Sequence, residues 1–180
     1  EHLEHFARKE LNKTSLRAMA VLNPIKLIID NYDENKSELL DASNNPEDEG
    51  AGKRKINFSK ELYIEKDDFM ESPSKKFFRL TIGREVRLMN AYYIICTHVI
   101  KNQKNEITEI HCTYDPKTKG GWSKDGRKVK GTIHWVSANK SIKANINVYD
   151  KLFNTINPYN CKNNETFTDN LNKESLTRIK

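Results

Sequence analysis

The stretch FFRLTIGREVRLMNAYY, residues 77–93, holds three arginines among β-branched and aromatic side chains: Arg79, Arg84 and Arg87. A guanidinium group is a planar fork of donors that matches phosphates and the acceptor edges of bases. Gly83 falls where a tight turn would sit, so the stretch reads as two short strands, 78–82 and 86–90, joined in a hairpin. Cations and aromatics interleave in Lys75-Lys76-Phe77-Phe78-Arg79, and again around Arg87 and Tyr92-Tyr93. Unpaired bases are held in this way, stacked on aromatic or guanidinium planes while nearby donors meet base edges and phosphates. The plain alternative is a hairpin whose charges simply face water.

Other chemistries find less support. Cys96 and His98 lie two apart on one expected strand, hence on one face, and His111 and Cys112 lie on its partner. Neighbours along a strand point to opposite faces, so one face offers at most three of these four groups. Structural zinc normally takes four, and no metal site is expected. No GxSxG, GxxxxGK[ST] or HExxH motif occurs. Asp67-Asp68 reads as a solvated cap rather than an acid–base pair. Cys161 lies in an Asn-rich loop without an evident base. No catalytic residue is expected.

The elements that must carry the arginines are mostly short strands. Residues 1–12 show helical periodicity through Leu3, Phe6, Ala7 and Leu11. Residues 17–29, RAMAVLNPIKLII, read as strand, Asn-Pro turn and strand, with Arg17 at the open end. Residues 32–54 read as a long loop ending in the basic triplet Lys53-Arg54-Lys55. An alternating segment at 56–64 follows, then one helical turn at 65–71. Apolar strands at 91–100 and 106–114 flank a polar KNQKN turn, and further strands are expected at 128–138 and 143–153. Many short strands with frequent turn signals indicate an all-β barrel or sandwich.

The 180 residues carry a net charge of +6, which favours an anionic partner. Mean hydropathy is -0.81. Three cysteines without a CxxC pair suit a reducing compartment better than a disulfide framework. No apolar run approaches the roughly 18 residues of a membrane span. The first residue is not Met, so a segment of a longer chain is expected.

Several segments together are more specific than any one of them. LRAMAVLNPIKLII, INFSKELYIEKDDF, FFRLTIGREVRLMNAYYI, DGRKVKGTIHWVSA and VYDKLF stand in this order. They resemble the C-terminal anticodon-binding region of the glutaminyl-tRNA synthetase family over nearly the whole chain. Glutamyl-tRNA synthetases of the archaeal and eukaryotic type share part of the HWV signature and are the close alternative; a stand-alone RNA-binding β-barrel module is the more distant one.

The resemblance implies an all-β fold of two β-barrels preceded by a short helix. Residues 1–14 would end a helical linker subdomain. Residues 15–32 and 135–180 would form a proximal barrel, incomplete at its C-terminal side, and residues 33–134 a distal barrel. It implies Arg17 at the middle anticodon base, Arg79 at the third and Arg87 near the first. Asn12 would contact the anticodon stem-loop and Lys76 a phosphate. Phe78 and Met89 stand where the family's bacterial members often carry basic residues. The implied partner is the anticodon stem-loop of tRNA(Gln), with no DNA or membrane partner and a monomeric, cytoplasmic enzyme. This segment would hold no cofactor; ATP and Mg would belong to a separate catalytic domain.

Overall fold

A computed structural model describes residues 2–162 and 164–179. One helix, α1 (His2–Thr14), precedes a chain of short strands. Two compact units follow from the internal contacts, Glu1–Ser141 and Ile142–Lys180.

The first unit is organised around β1 (Pro24–Ile29), whose residues alternate between buried and more open positions. Pro24 opens the strand, where its missing N–H costs no ladder bond. Beside β1 lie β4 (Glu61–Glu65), antiparallel, and β7 (Ile107–Asp115), parallel. With β5 (Glu85–Leu88), β6 (Tyr93–Lys101), β8 (Thr132–Ile133) and β9 (Val136–Ser137), these strands form one sheet in the order β8-β5-β6-β7-β1-β4-β9. The sheet therefore draws on residues from 15–32, from 33–134 and from 135–137 alike.

The order of strands dictates the curvature. β8 and β9 sit at opposite edges, yet only His134 and Trp135 separate them in the chain. Three peptide steps reach at most about 11 Å. The two edges must therefore approach one another, and the sheet curls into a barrel with its seam at residues 133–136.

A ribbon of β2 (Ser37–Ser43) and β3 (Lys53–Ser59) completes the core. Phe58 of β3 is fully buried. Its ring lies 5.2 Å from Tyr32, 5.1 Å from Tyr92 and 5.3 Å from Trp135, centroid to centroid. Edge-on contacts of this kind favour aromatic packing beyond the area they bury.

Four expectations change. Residues 32–54 are not a loop throughout, because Leu40 and Ala42 of β2 turn inward while Leu39, Asp41 and Ser43 face outward. Residues 17–21 form no strand, since β1 already has β4 and β7 on its two edges. The hairpin expected at 78–90 is only half present. β6 and β8 occupy both edges of β5, leaving residues 78–82 with isolated bridges at Leu80 and Ile82. Gly83 makes the expected turn, with φ 76°. Residues 128–138 split into β8 and β9, because one continuous strand could not serve both edges.

A fifth change concerns Cys96 and His98. The β6–β7 register shifts between them, so Thr97 is an extra residue and the two side chains take opposite faces. Cys96 and Cys112 pair in the core, while His98 and His111 pair on the outer surface.

The second unit contains the antiparallel pair β10 (Ile146–Tyr149) and β11 (Leu176–Ile179). A short 3-10 turn, Phe167–Asn170, is capped reciprocally by Thr166 and Asp169. Phe167 packs against Phe153 and Tyr159.

Candidate nucleic-acid interface

The barrel seam opens onto a cavity of about 410 Å³ within the first unit. Three arginines line it, from three parts of the chain: Arg17 before β1, Arg54 on β3 and Arg87 on β5. Trp122, Met89 and His134 also line it.

Arg87 is the most fully positioned of the three. Its Nε donates to Thr132 Oγ1 at 2.9 Å, which ties it across the parallel β5–β8 pair. One Nη1 hydrogen donates to the Gly121 carbonyl at 3.3 Å. Its guanidinium carbon stands 5.3 Å from the Trp122 ring centre. Two of the guanidinium's five donors are thereby used and its plane is set, while the remaining N–H groups stay available to a ligand. Gly121 permits this placement: its φ is +83°, and a Cβ there would lie 2.9 Å from Arg87 Cδ.

Arg17 is held by the end of α1. Its Nη2 donates to the Asn12 carbonyl at 3.0 Å and lies 3.4 Å from Glu47 Oε1. Buried Asn45 in turn donates to the carbonyls of Asn12 and Lys13, satisfying two orphan acceptors at the helix terminus. Asn12 itself is exposed and braces Arg17 through its carbonyl and, at 3.5 Å, its side-chain Oδ1. Arg54 donates to the Ser43 carbonyl at 2.8 Å across the β2–β3 ribbon.

Arg79 and Lys76 do not line this cavity. Arg79 forms an ion pair with Asp68 at 2.6 Å, its side chain more than half exposed and that of Asp68 almost wholly buried. Burial pushes the Asp68 carboxyl up, Arg79 pulls it down, and burial prevails. Lys76 is exposed on the preceding turn. Phe78 is about half exposed rather than packed in the core. It carries Lys130 Nζ 4.9 Å above its ring, beside a second hollow of about 380 Å³ lined also by Arg84 and Lys128. Arg84 donates to the Phe77 carbonyl.

Three contributors escaped the sequence reading. Arg54 stood in a triplet assigned to a loop. Asn45 gave no sign of its capping role. Trp122, 74% exposed in a Gly-Gly loop, carried the most usable signal: a large aromatic in a polar loop has little packing reason to be there.

Three arginines and Trp122 around a cleft at the seam of a small β-barrel have the composition of a nucleic-acid-binding surface. A family model described as "tRNA synthetases class I (E and Q), anti-codon binding domain" matches residues 15–115. A second model with the same description matches residues 132–180. The chain belongs to this family of anticodon-binding domains. Curated relatives include the glutamine–tRNA ligase of Clostridium perfringens, 54% identical over 180 residues that cover 99% of this chain and 32% of that one. That of Bradyrhizobium diazoefficiens is 53% identical, covering 97% and 30% respectively. That of Rhodopirellula baltica is 50% identical, covering 98% and 30%. The chain spans about a third of the length of the curated relatives it matches. Among the described residues, no helix is long and apolar enough to cross a membrane.

Proposed function

We propose that this chain reads the anticodon of tRNA(Gln) as part of a glutamine–tRNA ligase. The observation that carries this reading is the convergence of Arg17, Arg54 and Arg87 with Trp122 on one cleft. An unstacked base can lie against Trp122 while the free hydrogens of Arg87 meet its acceptor edge. Stacking on an aromatic contributes about 1–3 kcal/mol per base, and a bidentate arginine contact discriminates by about the same amount. Arg79, held by Asp68 outside this cleft, serves a separate base, and Lys76 a phosphate. Asn12 acts by positioning Arg17.

In the whole enzyme, recognition here favours attachment of glutamine at a catalytic domain that uses ATP and Mg. The enzyme acts as a cytoplasmic monomer, without a DNA or membrane partner. Under this reading Glu1–Ser141 supplies one barrel, and Ile142–Lys180 contributes strands to the other.

The test is fluorescence anisotropy with labelled 17-nucleotide stem-loops. A loop bearing the glutamine anticodon is expected to bind at least tenfold tighter than one bearing a glutamate anticodon. Affinity for both should fall linearly in log–log plots against salt as counterions are released. The two anticodons differ only at the third base, so equal affinity for them refutes reading of that base; equal affinity for a loop altered at the first two bases refutes base reading at the cleft. A preference for the glutamate loop transfers the assignment to glutamyl-tRNA synthetase.

A further inference from the structure

Three chain segments bring ligand-type side chains to one place on the outer surface of the barrel, away from the arginine cleft. Asp30 follows β1, His98 lies on β6 and His111 on β7. The parallel β1–β7 pairing sets Ile28 against His111, and Asp30, two residues further on and on the same face, reaches the His111 ring. The bulge at Thr97 turns His98 outward and registers it against His111. The two imidazole rings stack, centroids 4.4 Å apart and planes within 17°. Each of the three residues offers one ligand atom, and these atoms all lie within 4.8 Å of one another.

His111 is held between two carboxylates. Its Nδ1 is 2.7 Å from Asp30 Oδ1. Its Nε2 is buried without a hydrogen-bond partner, and Glu109 Oε2 stands 3.6 Å away, beyond bonding distance. A buried polar atom left unpaired is costly, which makes this nitrogen unusual.

We propose that Asp30, His98 and His111 bind one divalent ion of the zinc class. The ion takes an Asp30 oxygen, His111 Nδ1 and a ring nitrogen of His98, with water in the remaining position. Ligation at Nδ1 places the His111 proton on Nε2, where it faces Glu109. That is the familiar arrangement in which an outer carboxylate holds the ligating imidazole. Two imidazoles and one carboxylate suit zinc, nickel or copper rather than magnesium or calcium. His98 is exposed and can rotate to shorten its distance to the other donors. The bound ion would clamp β6 and β7 to the end of β1.

Zinc chloride is titrated calorimetrically into the 180-residue chain, and cobalt(II) absorption provides a second readout. The expected result is one zinc per chain, bound at least tenfold more weakly by His98→Ala and by His111→Asn. Zinc should raise the melting temperature of the wild type but not of His98→Ala. A tenfold excess of magnesium should leave zinc bound. His98→Ala alters an exposed side chain, so it remains informative if His111→Asn fails to fold. Absence of uptake by the wild type overturns the proposal, as does unchanged uptake in His98→Ala. A cobalt–thiolate charge-transfer band also overturns it, by placing the ion on cysteine.

Discussion

Arg87→Ala isolates the central claim about the cleft. The substitution removes the hydrogen bond to Thr132, the contact with Trp122 and the free donors directed at a ligand. The hydrogen bond to Thr132 is only partly buried, so its loss destabilises the fold by about 1 kcal/mol. Loss of a bidentate base contact costs about 1–3 kcal/mol, or roughly 5- to 150-fold in affinity. The assay is stem-loop anisotropy at fixed salt, with the melting temperature measured on the same samples. Substituting each anticodon position in turn should show specificity relaxed at one position. The slope of log affinity against log salt should change by less than one charge, because a base contact releases few counterions. Arg87→Lys keeps the charge but not the fork, so it should retain the salt slope and still lose specificity. Gly121→Ala provides an independent route to the same result. Its Cβ strains a left-handed backbone and presses on Arg87, and affinity should fall several-fold with Arg87 itself intact. A folded Arg87→Ala that binds every loop within twofold of wild type would refute the reasoning.

Two further outcomes are expected. Glu38 accepts hydrogen bonds from the Tyr92 and Tyr32 hydroxyls at 2.7 and 3.0 Å and pairs with Lys119 at 2.6 Å. Burial pushes its carboxyl up, but these partners outweigh burial and hold it below the usual range. A depressed carboxyl contributes stability above its unfolded value and loses it as pH falls through the folded value. Glu38→Ala should therefore destabilise the chain by about 2–4 kcal/mol near neutrality, mainly by orphaning two tyrosine hydroxyls. The gap from wild type should narrow below pH 4 in urea titrations. Asp68 has the opposite sign, its carboxyl being raised by burial, so its ionisation opposes folding as pH rises. Asp68→Asn should gain stability relative to wild type between pH 4 and 7 while weakening stem-loop binding through loss of the Arg79 anchor.

The limits of sequence legibility were physical. β6 and β7 were readable because long apolar runs flank a polar KNQKN turn, in which Asn105 takes the left-handed region. β2 was hidden because only Leu40 and Ala42 are buried, and exposed Leu39 breaks the alternation among acidic and serine residues. β8 and β9 were misjoined because each has two residues and owes its existence to a distant partner. The resemblance singled out Arg17 and Arg87, but their sharing one cavity depends on the barrel's curvature. The bulge at Thr97 leaves no mark in residue types, and it decides which side chains meet Cys96 and His98.

The seam also governs the order of assembly. During synthesis β1, with the apolar sequence PIKLII, leaves the ribosome while its parallel partner β7 is still roughly eighty residues away. Until β7 arrives, one flank of β1 is an unpaired apolar ladder of the kind that recruits other chains. β4 and β5 stay open in the same way until residues 132–137 dock against both. Those few residues work as a latch. Mutations that weaken it should appear first as aggregation of nascent chains, before any loss of affinity is detectable in the protein that folds.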